Sequence, residues 1–175
     1  MGFIKDFFTK RPKVEEQPIT PPRPTPSVAP KNKKGIQFDP GLVDNLKNDH
    51  SHLVTLFGQI WEHGFEANNP KKLSSLIMQF KRDFQAHLLK ENVKFYVYLE
   101  QNLSNDSTSM QLVRDFRTEM NDIANAVVKF CKKYSEPLPM AQLNTHFPDD
   151  YQTVGEVLTH RVSLEENELY TLYQP

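Results

Sequence analysis

The sequence predicts an all-α protein, an antiparallel up-down four-helix bundle with an extended N-terminal tail. Three observations predict it. Apolar residues recur at helical spacing along four long stretches after residue 37. Capping residues mark the start of these stretches, and turn-forming residues separate them. The links are mostly short, which places consecutive helices side by side and antiparallel. No strand pattern and no internal repeat is visible. A length of 175 residues suits one domain plus a tail.

The tail divides into two parts. Residues 1–11 form a short amphipathic peptide, with Phe3, Ile4, Phe7 and Phe8 on one helical face and Lys5, Asp6 and Lys10 opposite. Such a face suits a groove on a partner protein or a membrane surface. Residues 12–36 form a flexible linker that carries seven of the chain's thirteen prolines. Proline removes amide donors and disfavours helix before it, so this stretch is extended. The bundle occupies residues 37–175.

The helices follow in order at about 40–63, 70–102, 108–134 and 150–171. Asp39-Pro40 and Asn69-Pro70 each set a capping side chain ahead of a proline at the first helical position. Asp106 or Ser107 caps the third helix, and Asp149 caps the fourth after Pro148. Gly64 and Asn68-Asn69 separate the first pair, Asn102 to Asn105 the second, and the Pro137–Pro148 stretch the third. The core stripes are Leu42, Leu46, His50, Leu53, Phe57 and Ile60; then Leu73, Ile77, Phe80, Phe84, His87, Glu91, Phe95 and Tyr98. The third helix adds Val113, Phe116, Met120, Ile123, Val127 and Phe130. The fourth adds Val154, Leu158, Arg161, Glu165, Leu169 and Leu172.

Polar residues interrupt these stripes at one depth. At a rise of 1.5 Å per residue, His50 lies about 20 Å from the end of the first helix and His87 about 25 Å into the second. Glu91 lies about 17 Å from the end of the second, and Met120 about 18 Å into the third. Arg161 and Glu165 lie about 17 and 23 Å into the fourth. These six residues therefore gather in one slab. A buried carboxylate or imidazole costs several kcal/mol unless it is paired or bound to a cation. Two solutions exist. Imidazole nitrogens and carboxylate oxygens suit iron, manganese or zinc, and His87 and Glu91, spaced i and i+4, point at one centre. Alternatively, Arg161 pairs with Glu91 and Glu165 and takes the cation's role in a metal-free polar core. A one-residue slip of the fourth helix would turn His160 inward in place of Arg161.

The chain from about residue 42 onward resembles the hemerythrin-like (HHE) cation-binding domain family. The pieces that carry the resemblance are Asp49-His50 with Leu53, His87-Leu88-Leu89-Lys90-Glu91, Glu119-Met120, and Glu165-Glu166-Asn167-Glu168-Leu169-Tyr170. The resemblance implies two irons held between four helices and a role in binding or sensing oxygen or iron. The ligands it carries over are His50, His87, Glu91 and Glu165. Two positions depart from the family pattern: Met120 and Arg161 each stand where a histidine is usual. With these departures the resemblance leaves three states open: two irons, a single metal on His50, His87, Glu91 and Glu165, or none.

The remaining composition narrows function. Residues 37–175 hold thirteen Lys/Arg against nineteen Asp/Glu, which does not read as a nucleic-acid binder. No apolar run approaches a membrane span. The lone Cys131 excludes an internal disulfide and fits a cytoplasmic location; it reads as a small core hydrophobe. His52 falls off the stripe, His63 at a helix end and His146 in a loop. Glu119, Glu166 and Glu168 read as a solvated face, and Tyr170, Leu172 and Tyr173 as the seal of one end. No nucleophile–base arrangement or phosphate loop is visible, so an enzyme is not expected. Two classes remain: a metal- or oxygen-responsive regulatory module, or a metal-free interaction module tethered by its N-terminal peptide.

Overall fold

A computed structural model describes residues 35–175 of the chain. The amphipathic peptide bearing Phe3, Ile4, Phe7 and Phe8, and all but the end of the proline-rich linker, lie outside the described residues.

The described residues form four antiparallel rods. The first is α1 (Leu42–Gln59), which runs on into a π-helical segment, Ile60–Glu66. The second is α2 (Pro70–Lys90), a π turn at Glu91–Phe95, and α3 (Tyr96–Asn102). The third is α4 (Ser107–Lys133). The fourth is α5 (Met140–Leu164), a π turn at Glu165–Leu169 and a 3₁₀ turn at Tyr170–Leu172. Start signals act as the sequence predicts at two of these. The Asn69 side chain accepts from the Lys72 amide at 3.0 Å, with Pro70 in the first turn. Asp106 accepts from the amides of Thr108 and Ser109, each at 3.1 Å. At Asp39 the carboxylate instead accepts from the Gly41 amide at 3.0 Å, and the helix begins at Leu42.

The fourth rod corrects the sequence expectation. Its helix starts at Met140, not 150, and Pro148 lies inside it. His146 is therefore helical and exposed rather than in a loop. A proline inside a helix loses one backbone hydrogen bond and costs roughly 3 kcal/mol. Burial of Leu143 and Phe147, at 1 % and 0 % exposure, offsets that cost. The depth estimate survived this error for a simple reason. Tyr134, just after α4, donates its hydroxyl to Asp150 at 2.6 Å. Residue 150 is thus level with the end of α4, and the turns before it reach beyond.

Aromatic clusters close both ends of the bundle. Trp61, Phe65, Phe130, Tyr134 and Phe147 pack at one end, and Tyr151 stacks on Phe57 with ring centroids 4.2 Å apart. At the other, Phe95, Tyr98, Tyr170 and Tyr173 pack with Leu42, Leu46 and Val113. Phe38 stacks on Tyr173, whose hydroxyl accepts from the Asp39 amide at 3.0 Å. Gly64 does not end a helix as the sequence suggests. It sits within the π-helical segment where the first rod meets the second, and a Cβ there would lie 2.8 Å from the Leu73 Cα. Gly64→Ala is expected to lower stability by about 1–3 kcal/mol through forced separation of the rods, read as an earlier urea midpoint at unchanged slope.

Candidate metal centre

All six residues of the predicted layer are buried in mid-bundle, from Glu91 at 0 % exposure to Met120 at 8 %. His50, His87, Glu91 and Glu165 each offer one ligand atom, and these atoms lie within 4.8 Å of one another. No other group of metal-binding side chains with such spacing occurs among the described residues. His160 is exposed, so the one-residue slip that would bring it inward does not occur.

The two histidines are oriented alike. His50 Nε2 lies 3.3 Å from Glu165 Oε2, while its Nδ1 meets Glu166 Oε1 at 3.0 Å. His87 Nε2 lies 3.7 Å from Glu91 Oε2, while its Nδ1 faces Asp49 Oδ2 at 3.5 Å. Asp49 is itself held by Lys90 at 2.5 Å. Each ring thus turns Nε2 to the centre and lends Nδ1 to an outer carboxylate, the arrangement that fixes a ligating imidazole's tautomer.

Both inward carboxylates begin a π turn. The Tyr96 amide donates to the Glu91 carbonyl, and the Tyr170 amide to the Glu165 carbonyl, each across five residues. The wider turn lets residues i+4 and i+5 both face the core: Phe95 with Tyr96, and Leu169 with Tyr170. Tyr170 consequently does more than seal an end. Its hydroxyl donates to Glu91 Oε1 at 2.8 Å and lies 3.3 Å from His50 Nε2.

Arg161, at 2 % exposure, fills the other half of the layer. Nε donates to Glu165 Oε1 at 2.6 Å, one terminal nitrogen to Glu119 at 3.1 Å, and the other to the Tyr96 hydroxyl at 3.1 Å. Its flat face covers the Phe116 ring, 4.6 Å from the centroid. The expected pair with Glu91 is absent, because the three Arg161 nitrogens are engaged by Glu165, Glu119 and Tyr96, and Tyr170 takes one oxygen of the Glu91 carboxylate. The other, Glu91 Oε2, is the single buried side-chain oxygen or nitrogen without a hydrogen-bond partner among the described residues.

Protonation follows from this geometry. Burial pushes Glu91 up to about 8, helped by the Glu165 charge. Burial also pushes Glu165 up, but His50 and Arg161 outweigh it and hold that carboxyl below its usual range. Burial opposes charge on His50, yet Glu165 and Glu166 raise its pKa. His87, with burial and the His50 charge against it, drops to about 4. At neutral pH the metal-free layer therefore holds Glu91 protonated, Glu165 ionised and His87 neutral beside the Arg161 charge, with His50 shifted towards its charged form.

Sequence reasoning missed five contributors: Asp49, Tyr96, Glu119, Glu166 and Tyr170. The sequence reads Glu119 and Glu166 as solvated, and Glu119 is indeed half exposed, at 51 % of its side chain. A signal for Tyr96 and Tyr170 was present, since each stands five residues after an inward glutamate.

The donor set fits a cation. Donors to one ion at bonds of about 2.1 Å sit roughly 3–4 Å apart, the range of the His50–Glu165 and His87–Glu91 separations. Glu91 Oε2 also has no other partner. A family model, the hemerythrin HHE cation-binding domain, matches residues 41–173. No curated protein and no solved structure matches the chain.

Proposed function

The chain belongs to the hemerythrin HHE cation-binding family, and we propose that it is a non-enzymatic sensing or regulatory module whose signal is occupancy of this centre by an iron-type cation. His50, His87, Glu91 and Glu165 would hold the ion. One observation carries the reading: two buried imidazoles present Nε2 to one point, where the partnerless Glu91 Oε2 also lies. Nitrogen and carboxylate donors suit iron, manganese or zinc, and iron is the family's usual ion. When bound, iron supplies a redox couple and a coordination position for a small ligand. The protein's own part is to fix the rings through Asp49 and Glu166 and to exclude water with the aromatic ends. Binding would draw Glu91 Oε2 and Glu165 Oε2 towards one ion and so change how the second and fourth rods pack. No helix among the described residues is long and apolar enough to cross a membrane.

Metal content by mass spectrometry tests this directly, on protein purified without an affinity metal and again after anaerobic ferrous loading. Protein that stays empty after loading would refute it.

Proton release gives an independent check. Glu91 carries a proton at pH 7 in the metal-free state, and the pKa of His50 is raised by Glu165 and Glu166 against the opposing effect of burial. Ligation requires the Glu91 proton and the charging proton of His50 to leave, so binding at pH 7 should release protons and weaken as pH falls. Calorimetry in buffers of different ionisation enthalpy measures this. A binding enthalpy that does not vary with buffer would contradict the ligand assignment.

A second reading has its own support. Apart from Glu91 Oε2 and His87 Nε2, which face each other at 3.7 Å, the layer is hydrogen-bonded without a cation, as a metal-free interaction module requires. In that reading the N-terminal peptide recruits a protein partner or membrane surface, and deletion of residues 1–11 abolishes recruitment whatever the metal content.

A further inference from the structure

The centre is built twice, once in each half of the bundle. The first two rods carry Asp49-His50 and His87-x₃-Glu91-x₄-Tyr96; the last two carry Glu119-Met120 and Arg161-x₃-Glu165-x₄-Tyr170. The correspondence extends to contacts. Asp49 faces His87 at 3.5 Å, and Glu119 accepts from Arg161 at 3.1 Å. Glu91 and Glu165 each open a π turn closed by the tyrosine amide five residues on. Each tyrosine hydroxyl then crosses to the opposite half, Tyr96 to Arg161 and Tyr170 to Glu91. By this correspondence Arg161 stands where His87 stands, and Met120 where His50 stands.

We infer that the Arg161 guanidinium is a built-in cation that fills the second of two equivalent positions, so that the bundle takes one metal ion per chain and not two. This rests on the reading of the first position as a metal site. Glu165 joins the two positions, with Oε1 on Arg161 Nε at 2.6 Å and Oε2 on His50 Nε2 at 3.3 Å. It spans a fixed and an exchangeable cation as a bridging carboxylate spans two ions. A second ion finds no free donor: Met120 offers only a thioether, and every edge of Arg161 is engaged by Glu165, Glu119 or Tyr96. A guanidinium keeps its proton at any physiological pH, and its charge repels a dication.

The test is ferrous loading of the full chain under anaerobic conditions, with bound iron per folded chain counted by mass spectrometry. Wild type should hold about one ion and the Met120→His/Arg161→His variant about two, because the variant supplies two neutral imidazoles in place of a thioether and a fixed charge. Arg161→Lys, which keeps a cation in place, should not exceed one. After oxidation, wild type should give a mononuclear high-spin ferric resonance accounting for all bound iron, where a coupled pair would be silent. Two ions in wild type would overturn the inference, as would a double variant with wild-type circular dichroism that still holds one. If the double variant does not fold, the wild-type count and resonance decide alone. Wild type that binds no iron removes the metal reading itself and this inference with it, an outcome distinct from a count of two.

Discussion

Arg161→Met is expected to destabilise the metal-free protein by about 3 kcal/mol, towards the low end of the cost of breaking a buried charge pair, because His50 still faces the charge that remains. The group that bears the loss is Glu165, at 2 % exposure, which gives up its 2.6 Å contact with Nε and keeps only His50 at 3.3 Å. Glu119 can turn to solvent, and Tyr96 keeps its own proton, so neither adds much. The sign of the pH dependence follows. In wild type the Glu165 carboxyl is held below its usual range, so its contribution to stability is present above about pH 4.5 and is lost as pH falls through the lower folded value. Without Arg161 only His50 opposes burial, so the carboxyl is depressed less and this contribution shrinks. The gap between variant and wild type should therefore be widest near neutrality and narrow towards pH 4. Urea unfolding followed by Trp61 fluorescence measures it. Arg161→Met/Glu165→Gln should recover part of the loss, because the second change removes the charge that lost its closer partner. A single variant as stable as wild type at pH 7 would show that Arg161 does not hold the layer together.

The bundle was legible because its periodicity is strong. Apart from Leu158 and Leu172, which are half-buried, every residue of the four expected stripes is buried. The layer was legible for the same reason: His50, His87, Glu91, Arg161 and Glu165 fall on stripe positions where an apolar side chain is expected. Two kinds of feature were not legible. Pro148 signalled a boundary by its local chemistry, but burial of Leu143 and Phe147 overrode it, and local rules carry no term for tertiary burial. The π turns were missed because a fixed 3.6-residue period cannot represent an inserted residue. That hid the reach of Tyr96 and Tyr170, and with it the correspondence between the two halves. The outer carboxylates were hidden for another reason. Asp49 and Glu166 lie beside the stripe rather than on it, where an acidic residue looks like surface until a buried ring is found pointing at it.

Those outer carboxylates orient the two inward imidazoles, and they shape the second large expected effect. His87→Ala removes a ligand whose ring is neutral and already oriented, since its pKa is depressed to about 4 and its Nδ1 faces Asp49. No proton need leave this nitrogen near neutral pH, so the whole ligand is lost. Metal affinity should fall by more than the roughly 10–100-fold expected when an outer partner alone is changed, as in Asp49→Asn or Glu166→Gln. Stability gives a readout independent of counting ions. With free metal at 1,000 times the dissociation constant, wild type should gain about 4 kcal/mol over its metal-free form. His87→Ala should gain less than about 1.4 kcal/mol at the same concentration, the increment that a 100-fold loss would leave. The comparison must be of increments, because the cavity left by the imidazole lowers the metal-free stability of the variant on its own. The graded order, with wild type above the two outer variants and His87→Ala last, is the discriminating result. A purely structural layer predicts no increment in any of the four proteins, and a cation held elsewhere on the chain predicts the same increment in all of them.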